Sequence, residues 1–115
     1  MNARTLEIIR RLSAGESVEN REGGNSMNPL IRSRQPVTIE PVDPALLERG
    51  DIVYVKVHGA VYTHKVLAVR SGEVQIGNNR GGVNGWTRLD HVYGIVTAID
   101  GRPVGGARAK VRRAG

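Results

Sequence analysis

A chain of 115 residues with a formal net charge of +6, no Cys, no Phe, one Trp and three Tyr has room for one domain whose modest core rests on Val, Ile and Leu. The lack of Cys excludes disulfides, thiolate zinc sites and a cysteine nucleophile. No apolar run reaches the length of a membrane span and no secretory signal opens the chain, so a soluble, cytoplasmic protein is expected, while the positive charge permits contact with nucleic acid but says little of fold.

Residues 3–13 read as a short amphipathic helix, with Leu6, Ile9 and Leu12 recurring at three-residue spacing and Ile8 widening the stripe. Gly15 is placed to end it. Residues 16–25 are polar and bear glycines, which indicates a loop. Val37, Thr38 and Ile39 form a short strand between Pro36 and Pro41, and Asp43-Pro44 opens a turn before one helical turn at 45–48. Strands then follow closely at 51–57 and 60–69, joined by a His58-Gly59 turn, and at 73–76 after Arg70-Ser71-Gly72. Residues 77–85 read as a Gly/Asn-rich loop, 86–89 as a brief pairing segment and 93–99 as the last strand. Branched aliphatic residues between Gly, Asn and Asp turns predict a mainly β fold of small, coiled, partly closed antiparallel sheets with one N-terminal helix. The expected organisation is a helix and loop at 1–22, a β domain at 23–101 and a flexible basic tail at 102–115 carrying Arg108, Lys110, Arg112 and Arg113.

Two runs carry candidate chemistry. In Gly24-Asn25-Ser26-Met27-Asn28-Pro29, a hydroxyl follows a Gly-rich turn whose backbone N–H groups are free to face a developing oxyanion. Met27 can pack beneath that turn, and Pro29 stiffens its exit. In Tyr62-Thr63-His64-Lys65-Val66, a base lies on a strand. Taken singly, such a Ser is a turn residue and such a His a solvated strand edge; Asn28 also departs from the nucleophile elbow, which has Gly there. His64 and Lys65 alternate to opposite faces, so only one of them can face Ser26. His58 and His91 share no metal-ligand spacing with acidic residues, and 77–85 lacks the ending of a phosphate loop, so neither a metal nor a cofactor is expected.

The order of these pieces resembles the serine peptidases that include signal peptidases and the self-cleaving domains of SOS-type repressors. Ser26-Met27-Asn28-Pro29 is similar to their nucleophile box, Gly50-Asp51-Ile52-Val53 to a strand-entry box, and His64-Lys65-Val66 to the base box. Gly77-Asn78-Asn79 and Gly94-Ile95-Val96 resemble two later boxes, so the likeness spans residues 23–99. It implies a mainly β fold, Ser26 as nucleophile, His64 as base and Lys65 as the alternative base. Backbone N–H groups at Ser26 and Asn25, or the Asn25 amide, would hold the oxyanion, and Met27 and Pro29 would lie against a peptide or protein substrate. The acid that orients the base in the His branch would fall at Asn78, which carries no charge; Asp90 is the substitute further along. The repressor branch cuts an Ala-Gly bond upstream of its Ser, and Ala14-Gly15 is such a bond. Two other classes compete: a catalytically silent binding module on the same fold, and a nucleic-acid or assembly protein acting through the basic tail.

Overall fold

The computed structural model describes residues 1–111. Among them the chain runs α1 (Ala3–Ser13), β1 (Val18–Arg21), β2 (Pro36–Glu40), β3 (Ile52–Val57), β4 (Ala60–Arg70), β5 (Glu73–Gly77), β6 (Val83–Arg88), β7 (Val92–Ile99) and β8 (Arg102–Pro103), with single 3-10 turns at Pro44–Leu46 and Leu89–His91. The strands form one antiparallel sheet in the order β1-β2-β7-β3-β4-β5-β6, and β8 pairs with the end of β7. The mainly β, antiparallel expectation holds. Instead of several small, partly closed sheets there is one open sheet whose path ends at β1 and β6.

The central strand is β3, Ile-Val-Tyr-Val-Lys-Val, in which only Lys56 is not buried. Alternation sends Val53, Val55 and Val57 to one face, where they pack with Val66, Val74, Ile76, Val92 and Ile95. Ile52 and Tyr54 go to the other face and meet Val18, Val37, Ile39 and Val96 beneath α1. A chain without Phe thus fills both faces with β-branched side chains, each contributing about 1.5–3 kcal/mol on full burial.

The helix begins at Asn2, whose side chain accepts from the Thr5 N–H at 2.8 Å. Its buried residues are Ile8 and Leu12, at i and i+4, whereas Leu6 is 55% exposed. Leu6 stands two residues, about 200° of helical rotation, from Ile8 and so faces away from the sheet. Of the expected stripe, Leu12 is buried, Ile9 packs half-buried against the same core beside Ile8, and only Leu6 departs from it.

Gly94 lies in β7 under this helix. A Cβ there would stand 2.6 Å from Ile39 Cγ2, 2.9 Å from Leu12 Cδ1 and 3.1 Å from the Glu40 carbonyl oxygen. Gly94→Ala should therefore destabilise the fold by about 1–3 kcal/mol through overpacking, read as a lower urea midpoint at unchanged slope. An unshifted midpoint would mean that the helix yields freely.

Two expectations about irregular segments are corrected. Part of the loop expected at 16–25 is strand β1, in which Val18 and Asn20 turn inward and Glu19 and Arg21 outward. A four-residue strand with a polar residue on its inner face offers too little periodicity to be recognised. The expected flexible tail is tied to the fold at several points as far as Val111, although most of its residues are exposed. Arg102 and Pro103 pair with Ile99 and Ala98, Ala109 is fully buried beside Leu47, and the Asp43 and Val111 N–H groups donate to the Ala109 and Pro41 carbonyls. Of its cations, Lys110 lies 3.3 Å from Glu40 and Arg108 lies 3.8 Å from Glu48. Arg112 and Arg113 lie outside the described residues.

Candidate active site

The loop between β1 and β2 carries Ser26. Gly24 adopts φ +103°, a conformation that side chains other than Gly rarely take, and its N–H donates to Ser33 Oγ at 3.2 Å. Three residues on, Met27 is buried in the core beneath α1 and its carbonyl accepts from the Ile31 N–H. An exposed Ser26 is thus held between a Gly bend and an apolar anchor. The Asn25 and Ser26 backbone N–H groups donate to no acceptor among the described residues. Asn25 Oδ1 instead accepts from Asn28 Nδ2 at 3.3 Å, which ties that side chain into the loop.

His64 reaches this loop from β4. It pairs with Val53 of β3, shares that residue's face of the sheet, and is only 7% exposed. Its Nε2 stands 3.1 Å from Ser26 Oγ, and its Nδ1 stands 2.7 Å from Asn84 Oδ1. An amide oxygen has no proton to give, so Nδ1–H is the donor in that contact. The Nε2 lone pair is then left to accept from the Ser26 hydroxyl. Tyr62, two residues earlier and on the same face of β4, stacks on the imidazole with centroids 4.8 Å apart and planes 20° apart. Two contacts at its nitrogens and one on its plane restrain the ring.

Of the two candidate bases only His64 meets Ser26. Lys65 turns to the other face, and its Nζ donates to Asn79 Oδ1 at 2.8 Å. Asn79 in turn donates from Nδ2 to the Asn28 carbonyl at 2.9 Å and from its backbone N–H to the Ser26 carbonyl at 2.8 Å. The loop after β5 therefore pins the Ser26 turn from outside, with Lys65 supporting the clamp.

The orienting partner is corrected. Asn78 does not reach His64: its Oδ1 accepts from the Arg80 and Gly82 N–H groups, both at 2.8 Å, and shapes its own loop. Asp90 is exposed and forked with Arg88 at 3.1 and 2.7 Å; that hydrogen-bonded guanidinium holds the carboxyl below its usual range. Asn84 fills the place from β6, a strand that begins at Val83, inside the stretch expected to be a loop. Its position on a strand edge leaves no periodic signal, because Gly85 follows at φ +126°. Asn79, by contrast, was the last residue of a recognised box.

Ser26 opens onto a small, solvent-open cleft lined also by Gly23, Met27, Ile31, Val37 and Thr63. Pro29, which follows a cis peptide bond, belongs instead to a neighbouring cleft with Leu30, Ile99 and Arg102, so of the two expected substrate contacts only Met27 lies beside Ser26. Ala14-Gly15 lies elsewhere again, wound into the end of α1. The Ala14 N–H donates to the Arg10 and Arg11 carbonyls and the Gly15 N–H to Leu12. A cut there would require that helix end to unwind. Among the described residues no helix is long and apolar enough to cross a membrane.

No protein-family model matches the chain, and no curated protein matches it.

Proposed function

We propose that this chain is a serine peptidase that hydrolyses peptide bonds through an acyl-enzyme. The observation that carries the reading is the line Asn84 Oδ1–His64 Nδ1, His64 Nε2–Ser26 Oγ, at 2.7 and 3.1 Å, ending on an exposed hydroxyl beside a cleft. A hydroxyl, an imidazole and a hydrogen-bond acceptor in that sequence are the parts that activate a serine. The order of motif boxes adds support.

In the mechanism, Ser26 Oγ attacks the substrate carbonyl carbon while its proton passes to His64 Nε2. The imidazolium is held through Nδ1–H by Asn84. The oxyanion takes up the Asn25 and Ser26 backbone N–H groups, which have no protein acceptor to abandon. As the tetrahedral species collapses, the C–N bond breaks and His64 returns the proton to the departing amine. Water then adds to the Ser26 ester, giving a proton to His64, which passes it back to Ser26 Oγ as the carboxylic acid leaves. No cofactor enters any step.

The test is digestion of a diverse peptide mixture read by mass spectrometry, with labelling of Ser26 by a fluorophosphonate in parallel. New termini that vanish in Ser26→Ala, with Ser26 as the labelled residue, are the expected result. A folded wild type that neither cuts nor labels would shift the reading to a silent binding module.

A further inference from the structure

Beside Ser26 the cleft holds a carboxylate that the mechanism does not use. Glu22 follows β1 and lines the cleft together with Ser26. Its Oε1 accepts from Thr63 Oγ1 at 2.8 Å and from Asn20 Nδ2 at 3.3 Å. Both donors are buried, Thr63 at 6% and Asn20 at 8% exposure, so they cannot swing away and the carboxylate is held in place. Thr63 adjoins His64 in β4; the strand that aims the base also aims the anchor of this charge. In a chain with 17 Lys and Arg against 11 Asp and Glu, Glu22 forms no ion pair among the described residues.

We infer that this cleft selects a lysine or arginine side chain flanking the scissile bond, with Glu22 as the residue that recognises its charge. The inference rests on the peptidase reading and names its substrate class. Met27, Ile31 and Val37 supply an apolar wall for the alkyl stem, and Glu22 supplies the counter-charge for its end. A short neutral side chain would leave that carboxylate unpaired, and an acidic one would be repelled. Arg32 is the one described cation in the lining; it is exposed and shared with the cleft that contains Pro29, and its backbone N–H is fixed by Gln35 Oε1 at 3.0 Å. Glu22 is exposed as well, and water screens both charges; what distinguishes the carboxylate is its anchorage on two buried donors, whereas the Arg32 guanidinium has no side-chain partner among the described residues.

Matched peptides with Lys, Arg, norleucine, Ala or Glu at each position flanking one cleavable bond test it. The wild type is expected to favour Lys or Arg over norleucine by about 10- to 100-fold in kcat/KM. Glu22→Gln, which keeps the acceptor for Thr63, should erase that ratio, and Arg32→Gln should widen it. Cleavage without a basic preference, or a preference that survives Glu22→Gln in a protein with wild-type melting behaviour, would overturn the inference while leaving the peptidase reading intact. If nothing is cleaved, Nα-acetyl-lysine amide is titrated into the wild type and Glu22→Gln by NMR. Shifts at Glu22 and Thr63 that are lost in the variant support the cation site without the chemistry, and an absence of shifts overturns it.

Discussion

Replacing His64 by Ala should lower kcat/KM for peptide cleavage by at least about 10⁴-fold, as should Ser26→Ala, and the double variant should be no worse than either single one. The non-additivity is the sharper part. A hydroxyl 3.1 Å from Nε2 gains nucleophilicity only while its proton has somewhere to go, so removing the base leaves little for the second substitution to take away. Because His64 is almost fully buried, His64→Ala also opens a cavity. His64→Gln is therefore the companion variant, since it fills the space and offers hydrogen bonds without a basic nitrogen. Equal loss in both, with melting near wild type for His64→Gln, assigns the effect to proton transfer. Retention of cleavage within about tenfold would place the base elsewhere, and Lys65 could take the role only by leaving Asn79.

What the sequence revealed and what it hid divide along a physical line. Strand alternation put His64 and Lys65 on opposite faces, because period two is set by backbone geometry and survives any packing, and the motif resemblance chose His64 of the two. Aliphatic composition and Gly/Asn turns were enough for the mainly β class, and positive φ at His58 and Gly59 follows from the tight turn they make. The failures all involve contacts between segments distant in sequence. Leu6 shares the spacing of Ile9 and Leu12 yet faces away, because the helix docks through Ile8 and Leu12, with Leu12 over Gly94. Ala109 is buried because Asp43 and Pro41 receive the segment around it, and no local pattern in a run of Ala, Gly and Arg announces that docking. The orienting residue belongs to the same class: Asn78 and Asn84 are six positions apart in one Gly-rich stretch, and only the start of β6 decides which one meets the imidazole.

Asn84→Ala should lower kcat/KM by about 10- to 100-fold, the effect of removing one hydrogen bond to a group that becomes charged in the transition state. Its second consequence is tautomeric. Without an acceptor at Nδ1 the proton is free to sit on Nε2, where it faces Ser26 Oγ with a donor instead of a lone pair, and acylation stalls in that fraction of molecules. Asn84→Asp should act in the opposite direction. A carboxylate 2.7 Å from Nδ1 keeps the productive tautomer and adds a charge against the imidazolium, which should raise the acylation rate by about tenfold or more near neutral pH. The same charge favours protonated His64 in the resting enzyme, so the acid limb of kcat/KM should move to higher pH, with activity lost sooner on acidification than in the wild type. Pre-steady-state acylation of a p-nitrophenyl ester across pH 5–9 measures both effects. A faster variant with a displaced acid limb places Asn84 behind the base, whereas rates and limb unchanged in both variants would reduce the 2.7 Å contact to a structural one and return the orienting role to another group.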